Sequence, residues 1–180
     1  LVDYGLLVPL GTAYEVSHPL IHTYARRLLA EHTDAVQRRA LVARLVTELA
    51  AHFPRVEPTT WANCELLVPH IQVCATQMEP QQDGLAEAAT LFMQAGAYLL
   101  ARGQYEQAEE LYTRALAIRE QVLEPEHADL ASSLDRLASV YRRRGKYEQA
   151  VPLFQRAIAI GEKTLDPEHP ALATRYDNLA

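Results

Sequence analysis

The chain has 180 residues, with 17 Lys+Arg against 23 Asp+Glu, a net charge of −6 and a pI of about 5.6. Its 49% hydrophobic content excludes a disordered chain, and the length allows one or two domains with a real core. The acidic balance argues against nucleic acid or an anionic membrane as main partner, since both select a basic face. No apolar run approaches the roughly 18 residues that span a bilayer. The apolar start, Leu1 to Leu10, contains Asp3 and lacks the basic flank and cleavage site of a signal peptide. Beginning at Leu1 without a methionine, the sequence reads as a slice of a longer protein.

Leu6 to Leu10 and Tyr14 to Val16 predict a short β-hairpin around Gly11-Thr12. Ser17 is a suitable N-cap and Pro19 suits the first turn of a helix that runs to about Leu29. A hairpin followed by His-Pro-Leu-Ile-His-Thr-Tyr-Ala-Arg-Arg-Leu-Leu resembles the end of the winged-helix domain of STAND-type (NB-ARC) signalling ATPases. That resemblance implies an upstream nucleotide-binding domain and a C-terminal repeat sensor. The family's nucleotide-sensing histidine lies in a Met-His-Asp motif. Here His18 alone matches it, between Ser17 and Pro19, which leaves its contact with nucleotide open.

The next segment, Asp34 to His52, carries Leu41, Leu45 and Leu49 beside Val42 and Val46, a helical stripe. Phe53 to Thr60, with Pro54 and Pro58, reads as a loop. A second helix holds Trp61, Leu67, His70, Ile71 and Cys74, with a kink expected at Pro69. Cys64 and Cys74 fall on this one helix. Ten residues separate them by roughly 15 Å, beyond the roughly 7 Å a disulfide tolerates. Two free thiols imply a cytoplasmic setting. Glu79 to Gly84 is the best linker.

From there the chain repeats itself. A shift of 42 residues lays Gly103 on Gly145, Tyr105 on Tyr147, Ala108 on Ala150, Leu111 on Leu153 and Ala115 on Ala157, with 16 of 28 positions identical between 103–130 and 145–172. Each unit predicts two helices. Leu134, Leu137, Ala138 and Tyr141 recur at i, i+3, i+4, i+7 in the first, and Gly145 suits the left-handed cap that ends it. The second starts near Tyr147 and is expected to bury Ala150, Leu153, Phe154, Ala157, Ile158 and Leu165, until Pro167 stops it. The alanines are small where helices must approach closely. One hairpin cannot cover its own apolar face, so the units must stack.

Leu137, Ala138, Tyr141, Gly145, Tyr147, Ala150, Phe154 and Ala157 resemble the tetratricopeptide repeat pattern; the earlier copy departs at Ala95, Gly96 and Leu99. The 42-residue period resembles the repeats of kinesin light chains and of bacterial regulators, eight residues longer than the usual unit. In such repeats, fixed positions of the first helix line a concave groove. The resemblance therefore places Thr90, Met93 and Ala97 in that groove, then Ser132, Asp135, Ser139, Arg142 and Arg143, then Thr174 and Asp177. Arg142 and Arg143 are candidates to clamp an acidic peptide, since the guanidinium fork suits carboxylates.

Other chemistry is sparse. Gly145-Lys146-Tyr147 lies between helices without the upstream glycine of a phosphate-binding loop. His18 and His22 have Pro19 where a zinc protease has its glutamate, and Cys64, His70 and Cys74 are too few and badly spaced for zinc. His127 and His169 return with the repeat, which favours a structural role. No catalytic constellation stands out, so no enzyme, no metal and no cofactor are expected in this segment, with ADP or ATP belonging to a longer parent.

The expectation is a mostly α fold: a right-handed solenoid of helical hairpins with a small winged-helix remnant containing a short β-hairpin. Residues 1–30 would end the winged helix, 31–84 form a helical-hairpin adaptor and linker, and 85–180 hold the repeats (about 89–130, 131–172 and a partial 173–180). The expected role is a non-catalytic sensing scaffold of a STAND-type regulator, cytoplasmic, binding a protein or peptide and contacting the upstream nucleotide-binding domain, without nucleic acid or membrane. Alternatives are a kinesin-light-chain-like adaptor and a nucleic-acid-binding winged-helix regulator. The second is disfavoured by 6 basic against 8 acidic residues among the first 80.

Overall fold

Side chains at i, i+3, i+4 and i+7 meet on one helix face, and burying that face drives each helical segment onto its neighbour. The computed structural model describes residues 7–10, 13–16, 35–77, 84–166 and 168–179. It contains β1 (Leu7–Leu10), β2 (Ala13–Val16), α1 (Ala35–His52), α2 (Trp61–Gln77), α3 (Leu85–Ala101), α4 (Tyr105–Val122), α5 (Ala128–Arg143), α6 (Tyr147–Thr164) and α7 (Pro170–Leu179). Two compact units, Leu1–Ala95 and Gly96–Ala180, divide within α3.

In the first unit β1 and β2 pair antiparallel, Leu7 opposite Val16 and Leu10 opposite Ala13. The pairing of two strands does not by itself identify a winged helix. His18 and the helix expected over 17–29 lie outside the described residues, as do Pro167 and most of the expected linker. The stripe on α1 buries Val42, Val46 and Leu49, and α2 returns against it with Cys64, Val68, Ile71 and Cys74 inside. Leu45 is only half-buried. The expected loop tightens into a 3₁₀ turn at Pro58–Thr60, and α2 runs on through Pro69 to Gln77. Both thiols are free and buried, and burial pushes Cys74 up to about 12.

In the second unit α4, α5, α6 and α7 pack in sequence, each on the next. Ala108, Ala115, Ala150 and Ala157 are all buried at the helix crossings. The expected glycine cap at Gly145 is there, and Gly103 repeats it. Gly103 and Gly145 take φ of +74° and +73°, which L side chains rarely adopt. At each, two backbone bonds close the helix end. Gly145 N donates to Arg142 O at 3.0 Å and Lys146 N to Tyr141 O at 2.9 Å, and Gly103 and Gln104 repeat the pattern on Leu100 and Leu99.

Two core assignments need correction. Leu153 and Leu165 are half-exposed, whereas Ile160 and Gly161 are buried. Leu111, the counterpart of Leu153, is buried. Leu153 packs with Tyr141 and Leu179 against Ala138, Ala150 and Phe154 and is only partly covered there.

Candidate functional site

The expected groove residues of the second unit lie on α5 and α7. Ser132 and Thr174 stand at the same repeat position, and each hydroxyl donates to the carbonyl four residues back, on Ala128 and Pro170 at 3.1 Å. These hydroxyls are thus engaged with their own helices. Arg142 is exposed, but it is held. Its Nη2 donates to Asn178 Oδ1 at 3.1 Å, and its guanidinium carbon stands 6.0 Å from the centre of the Phe154 ring. One hydrogen bond to an amide oxygen and one ring restrain the fork and leave further N–H groups to the surface. Arg143 beside it is exposed, as are Thr174 and Asp177, while Ser139 is half-buried.

Asp135 has a different task. Its Oδ2 accepts from Arg175 Nε at 2.6 Å, joining α5 to α7. Arg175 is 6% exposed, and Asp135 Oδ1 and Arg175 Nη1 have no hydrogen-bond partner. Burial outweighs the Arg175 pairing and raises the Asp135 carboxyl above its ordinary value. The guanidinium fits because α6 has a glycine below it. A Cβ on Gly161 would stand 2.3 Å from Arg175 Nη1 and 2.8 Å from Leu172 Cδ2.

One repeat earlier the same positions carry Arg119 and Ser133. There Arg119 Nη1 donates to Ser133 Oγ at 2.9 Å and to Asp129 O at 2.8 Å. The guanidinium comes from the opposite side of the junction.

The run Arg142-Arg143-Arg144 with Lys146 is not one patch. Arg144 bonds Glu109 and lies 2.9 Å from Glu106 Oε1, and Lys146 Nζ is 3.2 Å from Glu109 Oε2. Lys146 also stands 5.3 Å from the Tyr141 ring centre. Two of the four cations bind the preceding hairpin and two belong to the α5 surface.

His127 and His169 serve the fold. His127 Nδ1 accepts from Asp129 N and His169 Nδ1 from Ala171 N, each at 3.1 Å, so each caps the helix that follows it. Their recurrence beside Pro and Glu was the visible signal, although histidine is not a usual cap.

In the first unit Thr90 is exposed and Met93 half-buried on α3. Thr90 and Thr47 line a shallow apolar groove of about 400 Å³ with Ala50, Ala51, Ala86 and Glu87. Ala97, beyond the division within α3, is half-buried. Among the described residues no three His, Cys, Asp or Glu gather as a metal site, and no helix is long and apolar enough to cross a membrane.

The tetratricopeptide repeat family model matches residues 87–163 and 129–180, together more than half of the chain. A nucleotide-binding leucine-rich repeat (NLR)-like protein of Hyaloscypha variabilis is 28% identical over 118 residues, 66% of this chain and 12% of that protein. The chain thus spans about an eighth of the length of this relative. Among solved structures, BtubC (BKLC) from P. vanneervenii aligns with a TM-score of 0.56 at 16% identity, over 89% of this chain and 61% of that one. A kinesin light chain with nearly identical TPR-like repeats from Podosopora anserina aligns over 88% of this chain and 81% of that one at 22% identity, with a TM-score of 0.47.

Proposed function

The chain belongs to the tetratricopeptide repeat family, and from that membership we propose that it is a non-catalytic interaction scaffold whose first-helix face binds an acidic peptide. The observation that carries the reading is the posture of Arg142. An exposed arginine costs side-chain entropy whenever it grips a ligand. Here the Phe154 ring and Asn178 Oδ1 have already restricted it, and Arg143 stands exposed at the next position. A preset guanidinium recognises carboxylates better than a free one. Ser139, Thr174 and Asp177 would border the bound peptide, and Thr90, Met93 and Ala97 hold the corresponding repeat positions on α3.

The test is binding to an array of peptides graded in net charge. The chain is expected to select acidic sequences, and replacing Arg142 and Arg143 together with alanine is expected to lower that binding at least ten-fold with helicity intact. Retention of the same peptides by the double variant overturns the reading.

The NLR-like relative supports placing the scaffold in a longer STAND-type regulator in the cytoplasm, where peptide capture would be passed to a nucleotide-binding domain. ADP or ATP would be that domain's ligand, with His18 as the candidate sensor. Binding of labelled ADP by the full-length protein, compared with its His18→Ala form, tests this assignment.

A further inference from the structure

Among the cations of the second unit, Arg144, Lys146, Arg156, Lys163 and Arg175 pair with carboxylates. Arg136, Arg142 and Arg143 pair with none among the described residues, and all three are exposed on α5. Asp135, next to Arg136 in sequence, is spent on Arg175. In a chain of net charge −6, an uncompensated cationic face is the exception. Arg136 and Arg143 stand seven residues apart, almost two full helical turns. They therefore share one stripe of α5, with Cα atoms about 10.5 Å apart. Arg142 sits beside Arg143, where Asn178 and the Phe154 ring restrain it.

Two acids bound this stripe. Asp129 is exposed seven residues before Arg136, and Asp177 is exposed on α7 at the repeat position that Asp135 holds on α5. A carboxylate placed over either is repelled, so the reach from Arg136 to Arg143 is the part that favours acids. A ligand with two carboxylates on one side must match that reach. In a strand, side chains two apart share a side at about 7 Å, and those four apart at about 13 Å. A polyproline II helix turns once in three residues and rises about 9 Å in doing so. Its i and i+3 side chains share a side at a spacing about 1 Å from that of the two arginines. Such a segment is also extended before it binds, so less of it has to be ordered.

We propose that α5 recognises two acids three residues apart in a polyproline II segment, with Arg136 holding one acid and Arg142 and Arg143 the other. This inference rests on the acidic-peptide reading and adds to it a spacing, a ligand conformation and a residue. Arg142 and Arg143 set the sign of the ligand. Arg136 sets the distance at which its second acid must stand.

The probes are short fluorescent peptides carrying two glutamates placed two, three or four residues apart. Each is made in a proline-rich host, which holds polyproline II, and in a threonine-rich host, which favours a strand. Matched peptides carry glutamine in place of glutamate. Binding to the whole chain is read by anisotropy. The proline host with a spacing of three is expected to bind at least three-fold more tightly than every other member. Arg136→Ala is expected to erase that preference and to keep the preference for glutamate over glutamine, with helicity unchanged by circular dichroism. Equal binding at all spacings, with glutamate still preferred, overturns the inference and leaves the acidic-peptide site standing. A threonine-host peptide that binds as tightly overturns the polyproline II form. A spacing preference that survives Arg136→Ala overturns the role of Arg136. Loss of the glutamate preference at every spacing overturns the acidic-peptide site, and this inference with it.

Discussion

The ring of Tyr112 lies on the bare backbone of Gly96. A Cβ there would stand 2.6 Å from Tyr112 Cε1 and 2.9 Å from Cδ1. At the equivalent place one repeat later, Ala138 and Phe154 pack together in one buried cluster. Gly96→Ala gains about 1 kcal/mol of helix propensity. It also drives a stiff ring from its place, and overpacking of that kind costs about 1–3 kcal/mol. A net loss of denaturation midpoint is expected; a gain would show that the ring yields freely.

The Tyr112 hydroxyl is buried without a hydrogen-bond partner. Phe at the equivalent position 154 needs none. Tyr112→Phe removes an unsatisfied group and is expected to leave stability unchanged or raise it by up to about 1 kcal/mol. A loss larger than that in urea unfolding would reveal a bond to an ordered water.

Arg175 and Gly161 depend on each other. With the guanidinium in place, Gly161→Ala forces it off Asp135 and is expected to destabilise the unit by about 1–2 kcal/mol, despite the favourable helix term. In an Arg175→Ala background the loss is expected to shrink to within about 0.5 kcal/mol of zero, because only the contact with Leu172 Cδ2 then opposes the helix term. The shrinkage is the measurement, a double-mutant cycle by chemical denaturation. Equal effects in both backgrounds would refute the dependence.

Alkali should unfold the protein through two buried acids. Cys74 ordinarily ionises near 9.0 and Tyr112 near 10.0, and burial pushes both up to about 12. The unfolded chain therefore loses its thiol proton from pH 9 upward while the folded chain keeps it. Their contribution is present below pH 9 and is lost as pH rises toward 12, by about 1.4 kcal/mol per pH unit for each ionising group. Urea midpoints are expected to fall above pH 9, and Tyr112→Phe to flatten the fall above pH 10. A flat profile would mean that these side chains meet water.

His127 caps α5 through its ring nitrogen. His127→Ala is expected to cost about 0.5–1 kcal/mol and His127→Ser to recover most of it, since serine offers an oxygen to the same N–H. Thermal melts distinguish the two, and identical melts for both variants would remove the cap from the account.

The spacing of Ala150, Phe154 and Ala157 made the helical hairpins readable, because a buried stripe repeats with the helix and small residues mark close crossings. Gly145 was readable for a similar reason, since only glycine is at ease at φ of +73°. Leu153 misled because burial depends on what lies above a residue as well as on its own chemistry. Arg175 was invisible for a different reason. Its neighbours at Asp135 and Gly161 lie far off in sequence, and one copy of the repeat carries serine where the other carries arginine. The expected groove residues share a register that sequence alone could set. That Asp135 is spent on Arg175, and Arg144 and Lys146 on Glu109, required the packing.

The exchange of Arg119 with Ser133 for Gly161 with Arg175 bears on how such a protein can grow. If the first hairpin were followed by a copy of α7, Arg119 and the new arginine would compete for one space and repel. If the second hairpin were followed by a copy of α5, glycine would meet serine and leave a void. A hairpin therefore cannot be copied as a closed module. The piece that can be inherited intact runs from the second helix of one repeat through the first helix of the next, so that each junction travels whole.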